Sequence, residues 1–251
     1  MLKYKEETQL LAAFILIIII SYGISSYIQS HRVLQSQIIY NISNTPPSIS
    51  EYSVLLDENF EYTNNGSLPH RFVHSGDSHD QAYVVYDSTN RWTKSLYIHE
   101  HGGDYNNSIV KIGDLEGKNI LLDFYYMING SSADRHVFQF YNEDDEPCVG
   151  MNTRVGDPWR YKTNMTGGKG MIAWLSIPGF DLVECGRLYH IQIFADCESQ
   201  MVVFGVDGIY SECLPSQRPW NTITSISFRG NLNYPADGWY DNVVVIEYKS
   251  D

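Results

Sequence analysis

After residue 50 the chain is a succession of short apolar runs, each closed by glycine, proline, asparagine or aspartate. "YSVLL", "AYVVY", "SLYIH", "SIVKI", "NILLDFYYMI", "HVFQFY", "MIAWLSI", "LYHIQIFA", "MVVFGV", "ITSISF" and "WYDNVVVIEY" are rich in Val, Ile, Tyr and Phe. Such side chains fit a pleated, half-buried surface better than a helix. No window offers three turns of amphipathic helix, so parallel βαβ units are excluded. Short strands with short turns predict an all-β fold, an antiparallel two-sheet jelly-roll sandwich. Alternation is plainest in "LYHIQIFAD", where Tyr189, Ile191, Ile193 and Ala195 share one face and His190, Gln192 and Asp196 the other.

Asp207-Gly208 lies between two such runs, and both residue types accept positive φ, which predicts a tight hairpin. Folding that meander brings Cys213 back towards Cys197. The expected disulfides are therefore Cys197 with Cys213 and, by remainder, Cys148 with Cys185.

Ahead of the domain, Leu10 to Ile28 is uncharged and long enough to cross a bilayer as a helix. Lys3 and Lys5 precede it and Arg32 alone follows closely, which places the N-terminus inside and the domain outside. The expected organisation is a cytoplasmic tail (1–9), a transmembrane anchor (10–28), a stalk (29–50) stiffened by Pro46 and Pro47, and one domain (51–251). Cleavage after Ser25 or Ser26, as in a signal peptide, is the alternative to an uncleaved anchor. Five N-x-[ST] sequons, at Asn41, Asn65, Asn106, Asn129 and Asn164, agree with an extracellular domain at the cell membrane. With 17 Lys and Arg against 30 Asp and Glu, the net charge of −13 repels phosphate backbones, and nucleic acid is not an expected partner.

Three segments resemble concanavalin-A-like (laminin-G-like) domains. "LLDENFEYTNNGSLPHRF" is similar to that group's first strand and loop, "GRLYHIQIFADCESQMVVFGVDG" to its strand-turn-strand, and "DGWYDNVVVIE" to a last strand that pairs with the first. The resemblance implies a jelly roll, an architecture shared by lectins, carbohydrate-binding modules, adhesion domains, glycanases and polysaccharide lyases. It also implies a structural calcium held by Glu61 and Asp241, with Asp57 a further ligand. Without an ion, Asp241 would be a polar plug at the rim of the core.

Catalysis is not expected. The paired-carboxylate strand E-x-D-x-x-E of glycanases with this fold is missing, and Glu143-Asp144-Asp145-Glu146 reads as a solvated loop. "YHIQ" holds the lyase residue types in the wrong order. His99-Glu100-His101, His70, His74 and His79 read as ordinary polar histidines without zinc spacing, and His190 as a satisfied strand residue. Trp159 and Tyr161 around Arg160, with Trp92 and Trp220, sit among polar, Gly or Pro residues and form the expected glycan surface, whereas Trp174 in "MIAWLSI" should pack. The expected function is a non-enzymatic, membrane-anchored protein that binds glycans or mediates adhesion. A structural or protein-interaction ectodomain is the alternative, and a glycoside hydrolase or polysaccharide lyase is less expected.

Overall fold

The computed structural model describes residues 46–76, 80–86, 94–100, 108–130, 135–164, 172–230 and 236–249, which belong to one unit spanning Asn41–Asp251. The expected tail and anchor, most of the stalk, Trp92, His79, His101, Asn41 and Asn106 lie outside the described residues.

In chain order the strands are β1 (Glu51–Glu58), β2 (Phe72–Ser75), β3 (Gln81–Tyr86), β4 (Lys94–Glu100), β5 (Ile109–Ile112), β6 (Ile120–Asn129), β7 (Arg135–Asn142) and β8 (Pro147–Arg154). There follow β9 (Arg160–Asn164), β10 (Ile172–Ser176), β11 (Leu188–Asp196), β12 (Met201–Val206), β13 (Ile209–Tyr210), β14 (Leu214–Pro215), β15 (Ile223–Gly230) and β16 (Ala236–Lys249). A nine-stranded sheet runs β13-β12-β11-β6-β16-β4-β3, with β1 on β16 and β14 on β12; a seven-stranded sheet runs β10-β9-β8-β7-β15-β5-β2. The fold is all-β and antiparallel, with no helix among the described residues.

Period-two patterning builds the core between the sheets. Tyr189, Ile191, Ile193 and Ala195 all face inward and are buried, as their alternation predicts. Phe124 of β6 meets Phe138 of β7 and Phe228 of β15 edge-on at 5.0 and 5.2 Å. Each such buried ring contributes roughly 1.5–3 kcal/mol through burial. Two polar contacts lie among them, Tyr126 with the Thr153 hydroxyl at 2.9 Å and His136 Nδ1 with the Tyr240 hydroxyl.

β16 pairs with β1 as the resemblance implies, Glu51 opposite Lys249. Regular alternation along β16 would put Asp241 on one face with Val243. Instead Asn242 adopts φ +48°, its amide donates to the Asp241 carboxylate at 2.8 Å, and the register against β6 shifts between Asp241 and Val244. This β-bulge inserts one residue and resets the alternation. Val243 and Val245 are then fully buried, while Asp241 stays on the outer face.

The hairpin at Asp207-Gly208 forms as expected, with φ +51° and +79° and Val206 paired to Ile209. The disulfides do not, and the four cysteines are free thiols. Cys197 Sγ is turned to the carbonyl of Trp220 at 3.3 Å, while Cys213 is exposed just before β14, which pairs with β12. Cys148 is buried against the Phe140 carbonyl, with its pKa pushed up to about 12 by burial, whereas the exposed Cys185 contacts Asn129.

Candidate functional site

On the seven-stranded sheet, Phe138, Phe140, Val149, Met151, Tyr161, Ile226 and Phe228 enter the core. Their neighbours in sequence therefore project from the outer face: Gln139 and Tyr141 from β7, Asn152 from β8, Lys162 from β9, and Ser225, Ser227 and Arg229 from β15. Strand register aligns Lys111, Ser227, Gln139 and Gly150 in one row, and Arg229, Val137, Asn152 and Arg160 in the next. Gln139, Asn152, Ser225 and Ser227 are nonetheless buried, so they form a recessed polar floor. Gly150 lets the walls close over this floor, since a Cβ there would stand 3.2 Å from the Lys162 Cβ and 3.5 Å from the Trp174 ring.

A hydrogen-bonded chain crosses the floor. Arg229 donates from Nη1 to Gln139 Oε1 at 3.1 Å, and the Tyr141 hydroxyl approaches the same oxygen at 3.5 Å. Ser227 donates to the Tyr141 oxygen at 3.3 Å, and Lys111 Nζ lies 4.8 Å above the Tyr141 ring. Lys162 Nζ sits 5.6 Å from the centre of the Trp174 ring. Ser225, opposite Tyr141, has a buried hydroxyl with no hydrogen-bond partner among the described residues.

The charges are unevenly compensated. Lys111 pairs with Asp145 and Arg218 with Glu146, both carboxylates belonging to the acidic β7–β8 turn. Glu143 in the same turn is held at about 2 by its own amide and those of Thr222 and Asn221, together with the Asn221 side chain. Among the described residues no carboxylate pairs with Arg229 or Lys162. Burial first, then the neighbouring Arg229 and Arg218, lowers the Lys162 pKa below the ordinary lysine value. An acidic protein thus carries uncompensated cations over buried amides and a phenol, an arrangement that attracts and neutralises a carboxylate and places a proton-transfer group beside it.

The expected glycan surface is largely core. Trp159 is 1% exposed and meets Tyr189 edge-on at 5.0 Å; Trp220 is 2% exposed and donates its ring N–H to the Lys118 carbonyl at 3.1 Å; Tyr161 is 7% exposed. Trp159 and Trp220 are carried inward by the segments just outside the strands, and Tyr161 enters the core from β9 against Phe204. Arg160 pairs with Asp157 at 3.1 Å. Trp174, expected to pack inward, instead flanks the open face.

The calcium ligands do not converge. Glu61 accepts the Lys94 amide at 2.8 Å, Asp57 stands opposite Val244 on β1, and Asp241 lies opposite Tyr125 of β6. No group of three His, Cys, Asp or Glu able to hold a metal occurs among the described residues. His190 is a satisfied strand residue, its Nε2 2.7 Å from Asp123. His99 Nδ1 lies 2.7 Å from Asp237 and His74 Nε2 3.1 Å from the Ser108 hydroxyl, while His70 is exposed. Of the sequons, Asn65 and Asn129 are exposed and Asn164 falls in β9.

Gln139, Tyr141, Lys162 and Arg229 escaped sequence reasoning. Alternation in "HVFQFY" and "TSISFRG" places them opposite core residues, a weak signal, but solvent-facing polar residues of any strand show the same pattern.

No protein-family model and no curated protein matches the sequence. Solved structures share the fold. A glucuronan lyase from the fungus Trichoderma reesei aligns at 11% identity and TM-score 0.54, covering 80% of this chain and 96% of that one. SCLam, a non-specific endo-β-1,3(4)-glucanase, aligns at 12% and TM-score 0.55, covering 82% and 95%. A sialidase aligns at 13% and TM-score 0.61, covering 79% of this chain but only 18% of its own length. At these identities the likeness shows a jelly-roll sandwich of the kind glycan-active proteins carry. Both the lyase and the glucanase are matched nearly end to end and are named as glycan-degrading enzymes, which goes against the expectation of a non-enzymatic binding or adhesive ectodomain.

Proposed function

We propose that the chain is a glycan-processing enzyme of the concanavalin-A-like group, working on the open face of its seven-stranded sheet, and that it cleaves an anionic, uronate-containing polysaccharide by β-elimination. The carrying observation is the pair of uncompensated cations, Arg229 and Lys162, beside Gln139 and Tyr141. Arg229 and Lys162 hold the uronate carboxylate and neutralise the charge that develops there when the adjacent carbon loses its proton. Preorganised charge of this kind is the largest single contribution in many enzymes. Tyr141 moves the proton. The C5–H bond breaks, its electron pair forms the C4–C5 double bond, the C4–O bond breaks, and the departing oxygen is protonated. The face presents cations, amides and a phenol, which suit this reaction better than paired-carboxylate hydrolysis. The match to a glucuronan lyase, over 80% of this chain and 96% of that one, supports the reading. The uncharged run 10–28 would hold the enzyme at the cell surface.

Incubating the full chain with polyglucuronate, alginate or pectate tests the proposal. Elimination produces the ultraviolet absorbance of a C4–C5 double bond together with new reducing ends. New reducing ends without that absorbance would replace elimination by hydrolysis, and no cleavage of any of the three polymers would overturn the uronate reading.

A further inference from the structure

We propose that the outer face of the nine-stranded sheet is a second, non-catalytic binding surface of this enzyme, shaped for a neutral, hydroxyl-rich glycan chain. Register aligns Trp239 of β16 with Tyr97 of β4, and Tyr97 with Tyr83 of β3, in one row across three strands. The ring centroids lie 5.2 and 5.4 Å apart with the ring planes tilted by 47° and 59°, forming a contiguous but faceted aromatic strip. All three rings are half-buried, with part of each open to solvent. Aromatic faces of this kind stack on pyranose rings while polar groups at their edges fix orientation.

The edge of the strip is preorganised. The Tyr97 hydroxyl donates to Asp237 Oδ1 at 2.7 Å, and His99 Nδ1 lies 2.7 Å from the same oxygen. The Asp237 side chain remains about a third exposed, so the carboxylate keeps acceptor capacity for sugar hydroxyls. The same sheet shows what a purely structural apolar patch looks like. Further along, Leu121, Phe194, Tyr210 and Tyr248 also project outward, and there the chain packs Ile49 against them.

Charge decides the ligand class. Register places the carboxylates Asp237 and Asp241 beside the row, with Asp123 further along, and the ionisable partners on this face are imidazoles, His99 against Asp237 and His190 against Asp123. An anionic polymer is repelled there, whereas neutral hydroxyl groups find acceptors. The two outer faces therefore take different glycans: the seven-stranded face the anionic chain to be cut, the nine-stranded face a neutral chain that holds the enzyme near it.

Affinity electrophoresis of the full chain in detergent, in gels containing mixed-linkage β-glucan, xylan or mannan, tests this surface. Retention by at least one polymer is expected, weakened roughly tenfold or more by Trp239→Ala and by Tyr83→Ala. Variant melting temperatures identify loss of fold, and Tyr83→Ala on the edge strand provides a second probe should Trp239→Ala unfold. Cleavage of short soluble polyuronates should be unchanged in both. Retention by none of the three polymers, retention that survives both substitutions in folded protein, or retention abolished by Lys162→Ala would overturn the proposal. The readout is retention, so a failure to cleave polyuronate leaves it standing and a failure of retention leaves the elimination reading standing.

Discussion

Arg229 on β15 donates from Nη1 to Gln139 Oε1 on β7 at 3.1 Å, across neighbouring strands of one sheet. Gln139 is buried, so this bond fixes the guanidinium over the groove instead of leaving it to sample solvent. Arg229→Ala should lower kcat/KM on polyuronate about 100- to 1000-fold, the usual cost of deleting a preorganised electrostatic contact. Arg229→Lys should recover only part of this, since an ammonium lacks the planar fork. The melting temperature should move little, because a half-exposed strand side chain contributes little to the core.

Lys162 gives the pH dependence. Its folded-state pKa is lowered by burial and by Arg229 and Arg218, so in the native state the proton leaves before it would in the unfolded chain. If the ammonium holds substrate, the alkaline limb of kcat/KM, which reports the free enzyme, falls below the ordinary lysine pKa of about 10.4. Lys162→Arg should shift that limb to higher pH. Stability follows the same linkage. Between the folded and unfolded pKa values the unfolded state binds more protons, so this residue's contribution rises with pH. Lys162→Met should flatten that rise in a series of melting curves.

Much of the fold was legible because burial imposes a period of two. Tyr189, Ile191, Ile193 and Ala195 declare a strand and its inner face, and Asp207-Gly208 declares its return. The bulge was not legible, because nothing local requires Asn242 to take positive φ; the pairing of β16 with β6 on one side and β1 on the other imposes it. The site failed for a related reason. Trp159 and Trp220 stand among polar, Gly or Pro residues in sequence, but end loops fold inward and use their aromatics as plugs. Gln139 and Arg229 become a site only through pairing between segments some 90 residues apart in sequence, which no local pattern contains.

Trp159 and Trp174 make a direct comparison of the two aromatic roles. Trp159 is 1% exposed, and Trp159→Ala should cost about 3–5 kcal/mol, as for other large core truncations, with loss of cooperative folding as the outcome. Trp174 flanks the groove beneath Lys162, and Trp174→Ala should leave the melting temperature within a few degrees while raising KM on polyuronate. Thermal melting and steady-state kinetics on the two variants separate plug from wall.

His190 and Asp123 on the nine-stranded face provide a stability test independent of activity. The hydrogen bond that the His190 ring donates to the Asp123 carboxylate raises the His190 pKa against the opposing effect of burial. A raised histidine pKa contributes stability that is fully present below the unfolded value of about 6.5 and is lost as pH rises through the folded value. Asp123→Asn should therefore lower the melting temperature more at pH 5.5 than at pH 8.5. The difference should stay within about 1 kcal/mol, since both side chains are about a third exposed and the pair is screened by solvent. Equal losses at the two pH values would mean that Asp123 acts through Gln192, which donates to its other oxygen at 2.6 Å.

Gly238 supports both sheets at once. It lies on β16 opposite Ile98 and Ile128, with the buried His136 ring of β7 packed directly against its α-carbon side. A Cβ there would collide with the imidazole, and that ring cannot swing away without breaking its contact with the Tyr240 hydroxyl. Overpacking of this kind typically costs about 1–3 kcal/mol. Gly238→Ala should fall in that range or above it, measured by denaturant unfolding. His136→Ala in the same chain should remove most of the added penalty, because it deletes the atoms that the new methyl strikes. The double-mutant coupling energy is then strongly favourable. An additive pair would place the strain in the backbone of β16 instead of at the ring.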